Sequence, residues 1–255
     1  MKPKVFVLYP SLDAKPNLKS FHSLWTHVTN SNADVQLYYR MGESLIQRLR
    51  NLAFYDFLQS GYDYFFSLDS DIEILNDPIN DNILTKLISD AECHGIDWNG
   101  GLYSVKKPFS FVSASCAKDT SQLKFNNGII EMRWLSSGCW FIKRKVIEDM
   151  CNYYTNEMYD GDEQDKGKRI CGITNPFIYH ITREMSGLDH DVDKLLSEDW
   201  ACNQRWLDMG GKIHANTSIM LNHVGNFDHL MLFPKPEEAK EVKETPNTGE
   251  IKIVY

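Results

Sequence analysis

The run Tyr62-Asp63-Tyr64-Phe65-Phe66-Ser67-Leu68 is almost continuously apolar and aromatic, and it stops at Asp69-Ser70-Asp71. A short apolar run without Pro or Gly reads as a strand buried on both faces. Its aromatic side chains suit a pleated, packed surface. A second run of the same kind, Val5–Tyr9, ends at Pro10-Ser11. Between the two lie a helical pattern over residues 17–28 and a candidate strand at Val35–Tyr39. Next comes an amphipathic spacing over Glu43–Leu58, carried by Leu45, Leu49, Leu52, Ala53 and Phe57 and stopped by Gly61. Strand, helix and strand at this spacing imply parallel neighbours joined by right-handed crossovers. The expected fold class is α/β.

Further along, residues 81–94 and 145–154 read as helices. Trp98–Val105 and Ile129–Trp134 read as strands, the latter near a sheet edge. Residues 109–124 are irregular and polar. Ser136-Ser137-Gly138-Cys139 is a turn that leads into Trp140-Phe141-Ile142. Residues 156–169 have the composition of a surface loop. Glu198–Met209 reads as a helix ended by Gly210-Gly211, and Lys212–Leu221 as one strand. The expected organisation is one domain over 1–232 with a polar tail over 233–255, extended or mobile because it is rich in Pro, Lys and Glu.

Composition narrows the function classes. The chain has 255 residues, enough to bury a full core without disulfides or a structural metal. Its net charge of −8 disfavours nucleic acid and anionic membranes as partners. A small anionic ligand stays open, because a bound cation reverses the local field. No apolar stretch approaches the ~20 residues of a membrane span. The six cysteines include no Cys-x-x-Cys pair and read as reduced thiols. The apolar run at the N-terminus is too short for a signal peptide. The expected location is cytoplasmic.

The chemistry centres on Asp69-Ser70-Asp71. Two carboxylates at positions i and i+2 both face a ligand when the chain turns between them. Hard cations such as Mg²⁺ and Mn²⁺ take such oxygens and complete their shell with phosphate oxygens. Open α/β sheets bind ligands outside the C-terminal ends of their strands. The plain alternative is a solvated acidic turn. Ile72-Glu73-Ile74 continues the strand-like alternation, which favours a structured setting.

Several segments resemble, in order and spacing, the GT-A fold glycosyltransferases of the nucleotide-diphospho-sugar transferase superfamily, including its Anp1-like and small virus-encoded members. They are Tyr9-Pro10-Ser11, Arg48-Leu49-Arg50-Asn51, Asp69-Ser70-Asp71, Gly100-Gly101-Leu102-Tyr103, Ser136-Ser137-Gly138-Cys139-Trp140-Phe141-Ile142, Ser197-Glu198-Asp199-Trp200 with Arg205-Trp206 and Gly210-Gly211, and Asn222-His223-Val224-Gly225. The resemblance spans roughly residues 4–226. It implies a Rossmann-like, mostly parallel sheet flanked by helices, with a small additional antiparallel sheet. It also implies a UDP- or GDP-sugar donor, a glycan or glycoprotein-glycan acceptor, and Mn²⁺ or Mg²⁺ as cofactor.

The resemblance further assigns roles. Asp71 binds the metal directly, Asp69 reaches the ribose or a metal-bound water, and His223 completes the metal shell. Asp199, beside Glu198, is the candidate base. Tyr9, Pro10, Ser11, Arg48, Asn51, Ser70, Gly138 and Trp140 are expected to hold the donor. Arg48 and Asn51 lie three apart and share a helix face, whereas Arg50 points elsewhere as a solvated charge. Each role has a structural alternative. A lone histidine reads as a satisfied one, although the strand–His–Val–Gly context of His223 favours a metal; Glu198 and Asp199 read as favourable charges at a helix start, and Tyr9, Trp140 and Trp200 as core. Two other functions stay open. A sugar nucleotidyltransferase would normally carry a Gly-rich basic loop where this chain has Pro10-Ser11-Leu12-Asp13. A non-catalytic nucleotide-sugar or carbohydrate-binding protein would bind without turnover.

Overall fold

The computed structural model describes residues 1–11, 15–106, 114–116, 128–183, 189–225, 228–230, 241–244 and 251–254. Leu12, Asp13 and most of the polar stretch 109–124 lie outside the described residues.

The first half alternates as its apolar runs require. In order come β1 (Lys4–Ser11), α1 (Leu18–Thr29), β2 (Asp34–Met41), α2 (Ile46–Ser60), β3 (Tyr64–Leu68), β4 (Ile72–Ile74), α3 (Ile83–Cys93) and β5 (Trp98–Gly100). After these follow β6 (Ala114–Cys116), β7 (Ile129–Leu135), β8 (Cys139–Lys143), α4 (Arg144–Tyr153), β9 (Met158–Asp160), β10 (Arg169–Cys171), β11 (Phe177–Ile181) and β12 (Val192–Leu196). The chain continues through α5 (Glu198–Asp208), β13 (Ile213–Asn216), β14 (Leu221–Val224), β15 (Asp228–Leu230), β16 (Glu241–Glu244) and β17 (Ile251–Val254).

The central sheet has five strands in the order β2-β1-β3-β8-β5. Strands β2, β1 and β3 are parallel, and β8 runs antiparallel to both β3 and β5. The sheet is therefore mostly parallel, with one reversed strand. Its two faces follow the period-two alternation of β1 and β3. Phe6, Leu8 and Phe65 pack with Phe54 and Phe57 of α2 and Val146 and Ile147 of α4. Val5, Val7, Phe66 and Leu68 pack on the other face with Leu24 of α1 and Leu84 and Leu87 of α3. Each of these large side chains contributes about 1.5–3 kcal/mol by leaving water.

Local signals set the helix ends. The Asn17 side chain accepts from the amides of Lys19 and Ser20 at the start of α1. Gly61, at φ 72°, takes the left-handed conformation that closes α2. Helix α2 starts at Ile46 rather than Glu43, because the Glu43 carboxylate is bound by the Leu45 amide and by Arg48.

Several expected boundaries need correction. The strand expected to reach Val105 stops at Gly100. Ile129–Trp134 does not lie at an edge: β7 is the middle strand of the antiparallel sheet β13-β7-β6. Lys212–Leu221 is two strands in two sheets, separated by a turn in which Asn216 accepts from the Ser218 amide and hydroxyl. The polar stretch 156–169 contains β9, which pairs with β10. Strands β11 and β12, for which the sequence carried no expectation, pair antiparallel. Within the tail expected to be extended or mobile, β16 and β17 pair antiparallel. Cys93, Cys139, Cys151, Cys171 and Cys202 are free thiols, with Cys139, Cys171 and Cys202 buried. No helix of the described residues is long and apolar enough to cross a membrane.

Candidate active site

Where the chain leaves β1, β2 and β3 it encloses a cleft of about 270 Å³. Pro10 and Ser11 line it from β1, Glu43 and Ser44 from the turn after β2, and Asp69, Ser70 and Asp71 from the turn after β3. The cleft stands at the C-terminal ends of parallel strands, where such sheets bind ligands.

Backbone and side-chain bonds from four parts of the chain fix the Asp69-Ser70-Asp71 turn. The amide of Asn17 and the hydroxyl of Tyr9 donate to the Ser70 carbonyl, and Ser20 Oγ donates to the Asp69 carbonyl. The Asp69 amide donates to the Gly138 carbonyl, and the Val224 amide donates to the Asp71 carbonyl. Gly138 is needed for its bareness: a Cβ there would lie 2.5 Å from the Tyr103 hydroxyl, which instead accepts from the Gly138 amide at 3.1 Å.

Arg50 ties the turn to the start of α5. Its guanidinium donates to Asp69 Oδ1 at 2.8 Å and to Glu198 Oε1 at 2.6 Å, with the arginine side chain only 2% exposed. Below it lies the Trp140 ring, 5.9 Å from ring centroid to guanidinium carbon, within cation–π range. Burial raises the Asp69 carboxyl above its usual range, against the pull of Arg50, and the charges of Asp71 and Asp199 raise it further. Glu198 is raised likewise by burial and by its neighbour Asp199. Asp199 Oδ1 is held by the Ser197 hydroxyl and the Trp200 amide. Asp69, Glu198 and Asp199 therefore share one electrostatic neighbourhood around one guanidinium.

On the other side of Ser70, Asp71 Oδ2 lies 2.6 Å from Lys106 Nζ and 3.3 Å from His223 Nε2. His223 stands opposite Ile72 across the β14–β4 pair. Its Nδ1 must be a donor, because its partner at 2.8 Å is the Ser104 carbonyl. The Tyr103 ring meets the imidazole edge-on at 5.3 Å. Burial works to raise the Asp71 carboxyl, but the hydrogen bonds from His223 and Lys106 overcome it and hold it down at about 2.

A divalent cation fits these residues. Asp71 offers a carboxylate oxygen, and His223, once Nε2 gives up the proton it shares with Asp71, offers that nitrogen, its Nδ1 anchored as a ligating histidine requires. A side-chain ammonium already occupies the cationic position on Asp71. No group of three or more His, Cys, Asp or Glu side chains is gathered for a metal among the described residues. Mg²⁺ is usually held by one or two carboxylates, with waters and substrate phosphates completing its shell.

Other predicted residues do not line the cleft. Tyr9 is fully buried, with its hydroxyl on Ser20 at 3.0 Å, and offers no face to a base. Trp140 is fully buried, donates to the Leu135 carbonyl and meets Trp98 edge-on. Asn51 is spent on the Thr174 amide and hydroxyl and on the Asn175 side chain. Arg48 pairs with Glu43 and with Asp162 at 3.1 Å. Arg50, read as a solvated charge, is the buried member of the quartet. The missed signal was periodicity: Arg50, Phe54 and Phe57 follow the i, i+4, i+7 spacing of the core stripe. A lone charge on that stripe needs a buried partner. Lys106, Tyr103 and Ser104 were missed because only folding brings their segment to Asp71.

A larger cleft, about 730 Å³, opens at the opposite end of the sheet between Asp97, Asp149, Tyr153 and Lys212. Its acids are paired with Lys143 and Lys145. None of the sequence-predicted site residues lines it.

No family model and no curated protein matches the sequence. Among solved structures the chain is similar to A197 from STIV, with a TM-score of 0.52 and 16% identity over 92% of this chain and 95% of that one. Weaker likenesses are to a glycosyltransferase involved in the glycosylation of the major capsid of PBCV-1 (TM-score 0.36, 14% identity, 58% of this chain and 63% of that one) and to a UDP-glucose pyrophosphorylase complexed with UDP-glucose (TM-score 0.45, 8% identity, 85% and 90%). The first likeness establishes the fold, a mixed α/β architecture around a mostly parallel sheet.

Proposed function

We propose that this chain is a metal-dependent glycosyltransferase of the GT-A type, moving a sugar from a UDP- or GDP-linked donor to a hydroxyl of a glycan or glycoprotein glycan. The observation that carries the reading is one gathering. Asp69, Asp71, Glu198 and Asp199 converge with His223 and a buried arginine at the C-terminal ends of parallel strands.

In this reading Asp71 and His223 would hold Mn²⁺ or Mg²⁺, which would supply charge stabilisation for the departing diphosphate. Pro10, Ser11 and Ser70 border the cleft that takes the nucleotide. Asp69, fixed by Arg50, presents its remaining oxygen to the ribose side. Asp199 takes the proton from the acceptor hydroxyl as that oxygen attacks the anomeric carbon. Glu198, through Arg50, keeps the start of α5 in register with the β3 turn.

The test is thermal unfolding with UDP and with GDP, each with and without Mn²⁺. One nucleotide should raise the melting temperature only when Mn²⁺ is present, because a ligand that binds the folded state alone stabilises it. Absence of any metal-dependent stabilisation by either nucleotide sinks the reading.

A further inference from the structure

We infer that Lys106 is a partner-exchanging residue: it occupies Asp71 until a divalent cation arrives, then carries its ammonium to the phosphate oxygens of the bound nucleotide. The inference rests on the reading proposed above and deepens it.

Lys106 Nζ and His223 Nε2 address the same oxygen of Asp71, at 2.6 and 3.3 Å. A divalent cation joining that oxygen and that nitrogen would meet the ammonium at contact distance. Two cations so close repel strongly, and more so at a half-buried carboxylate than in bulk water. One must leave. Lysine is suited to do so, because its charge is compact, its stem has four flexible carbons and its donors rotate freely. The Lys106 side chain is 39% exposed, so its movement costs little packing.

The anchoring around it is different. Tyr103 and Ser104 hold the His223 ring edge and Nδ1, while the Val224 amide holds the Asp71 carbonyl. The two candidate ligands are therefore fixed by neighbours that Lys106 does not contribute. Once displaced, Lys106 stands beside a site where a diphosphate brings new anionic oxygens. A charge-assisted bond to one of them replaces the bond to Asp71. Lys106 is thus a competitor of the cation in the empty protein and an ally of the nucleotide in the loaded one.

The two roles predict opposite signs for a single substitution, Lys106→Met, which keeps the stem and removes the charge. Mn²⁺ affinity without nucleotide, followed by loss of the free-ion electron paramagnetic resonance signal, should rise about two- to fivefold, as expected for removing a partly exposed ion pair. Affinity for UDP or GDP at saturating Mn²⁺, measured by calorimetry, should fall about three- to tenfold. Lys106→Arg should restore the nucleotide affinity. Unchanged Mn²⁺ affinity in the variant, or unchanged nucleotide affinity at saturating Mn²⁺, overturns the exchange. If neither wild type nor variant binds Mn²⁺, the metal reading itself falls and the exchange with it. Equal Mn²⁺ binding by both removes the exchange alone.

Discussion

Asp69 and Asp71 flank a single serine, yet they stand in opposite surroundings. Asp69, 28% exposed, is bound to a guanidinium that is itself sealed between Trp140 and the start of α5. Asp71 faces outward, 40% exposed, between a mobile-stemmed ammonium and an imidazole. Burial raises the first carboxyl, while hydrogen bonds hold the second at about 2. The same residue type has become a fixed strut on one side of Ser70 and an accessible ligand on the other. A site that must keep its shape while exchanging an ion needs both kinds.

The largest expected effect lies on the inward side. Asp199→Asn should lower turnover by about 10²–10⁴-fold, the usual share of a general base. Mn²⁺-dependent stabilisation by nucleotide should persist, since the outward side is untouched. Equal loss of both would merge the two sides into one function.

Next, Arg50→Met should cost roughly 3–5 kcal/mol of stability in urea unfolding, because it strands two carboxylates that are raised already. Adding Glu198→Gln should recover part of that loss. A cost below about 1 kcal/mol would mean that the inward side is as wet as the outward one.

The two aspartates should also bend the pH dependence of stability in opposite directions when metal is chelated. Asp71 has a depressed carboxyl. Its contribution is present above the unfolded value of 3.8 and is lost as the pH falls toward about 2. Asp69 is raised, so the folded chain takes its proton more readily than the unfolded chain does, and acid favours folding at that group. Unfolding midpoints measured from pH 7 to pH 2 should show a shallower acid loss for Asp71→Asn, by under about 1 kcal/mol given its exposure. They should show a steeper loss for Asp69→Asn. Parallel shifts in both variants would erase the distinction.

The smallest effect is expected from Arg48→Ala. Its pairs with Glu43 and Asp162 are exposed on the arginine side, so stability should change by less than about 1 kcal/mol. Nucleotide stabilisation should be retained. Loss of that stabilisation would return Arg48 to the donor site.

Much of this arrangement was legible beforehand. The apolar runs of β1 and β3, the stripe of α2 and the αL stop at Gly61 are local patterns with local causes, and the chain obeys them. Aromatic residues were harder to read. Tyr9 and Trp140 suit a sugar or a base as well as they suit a core, and only their neighbours decide between these uses. For Tyr9 the deciding neighbour is Ser20, and for Trp140 they are Trp98 and the Leu135 carbonyl. The reversed strand β8 and the split between β13 and β14 escaped notice, because strand direction and sheet membership are set by pairing partners far away in sequence.

From the sequence alone came the α/β class, the place of the Asp69-Ser70-Asp71 turn at a strand end, and the helix that begins with Glu198 and Asp199. These depend on periodicity and on which residues follow an apolar run. Tertiary structure alone decided which arginine enters the site and which lysine meets Asp71. Arg50 reaches Glu198 across 148 positions of chain, and Lys106 reaches Asp71 across 35. A pairing of charges over such separations depends on which strands lie side by side, and no local pattern carries that information.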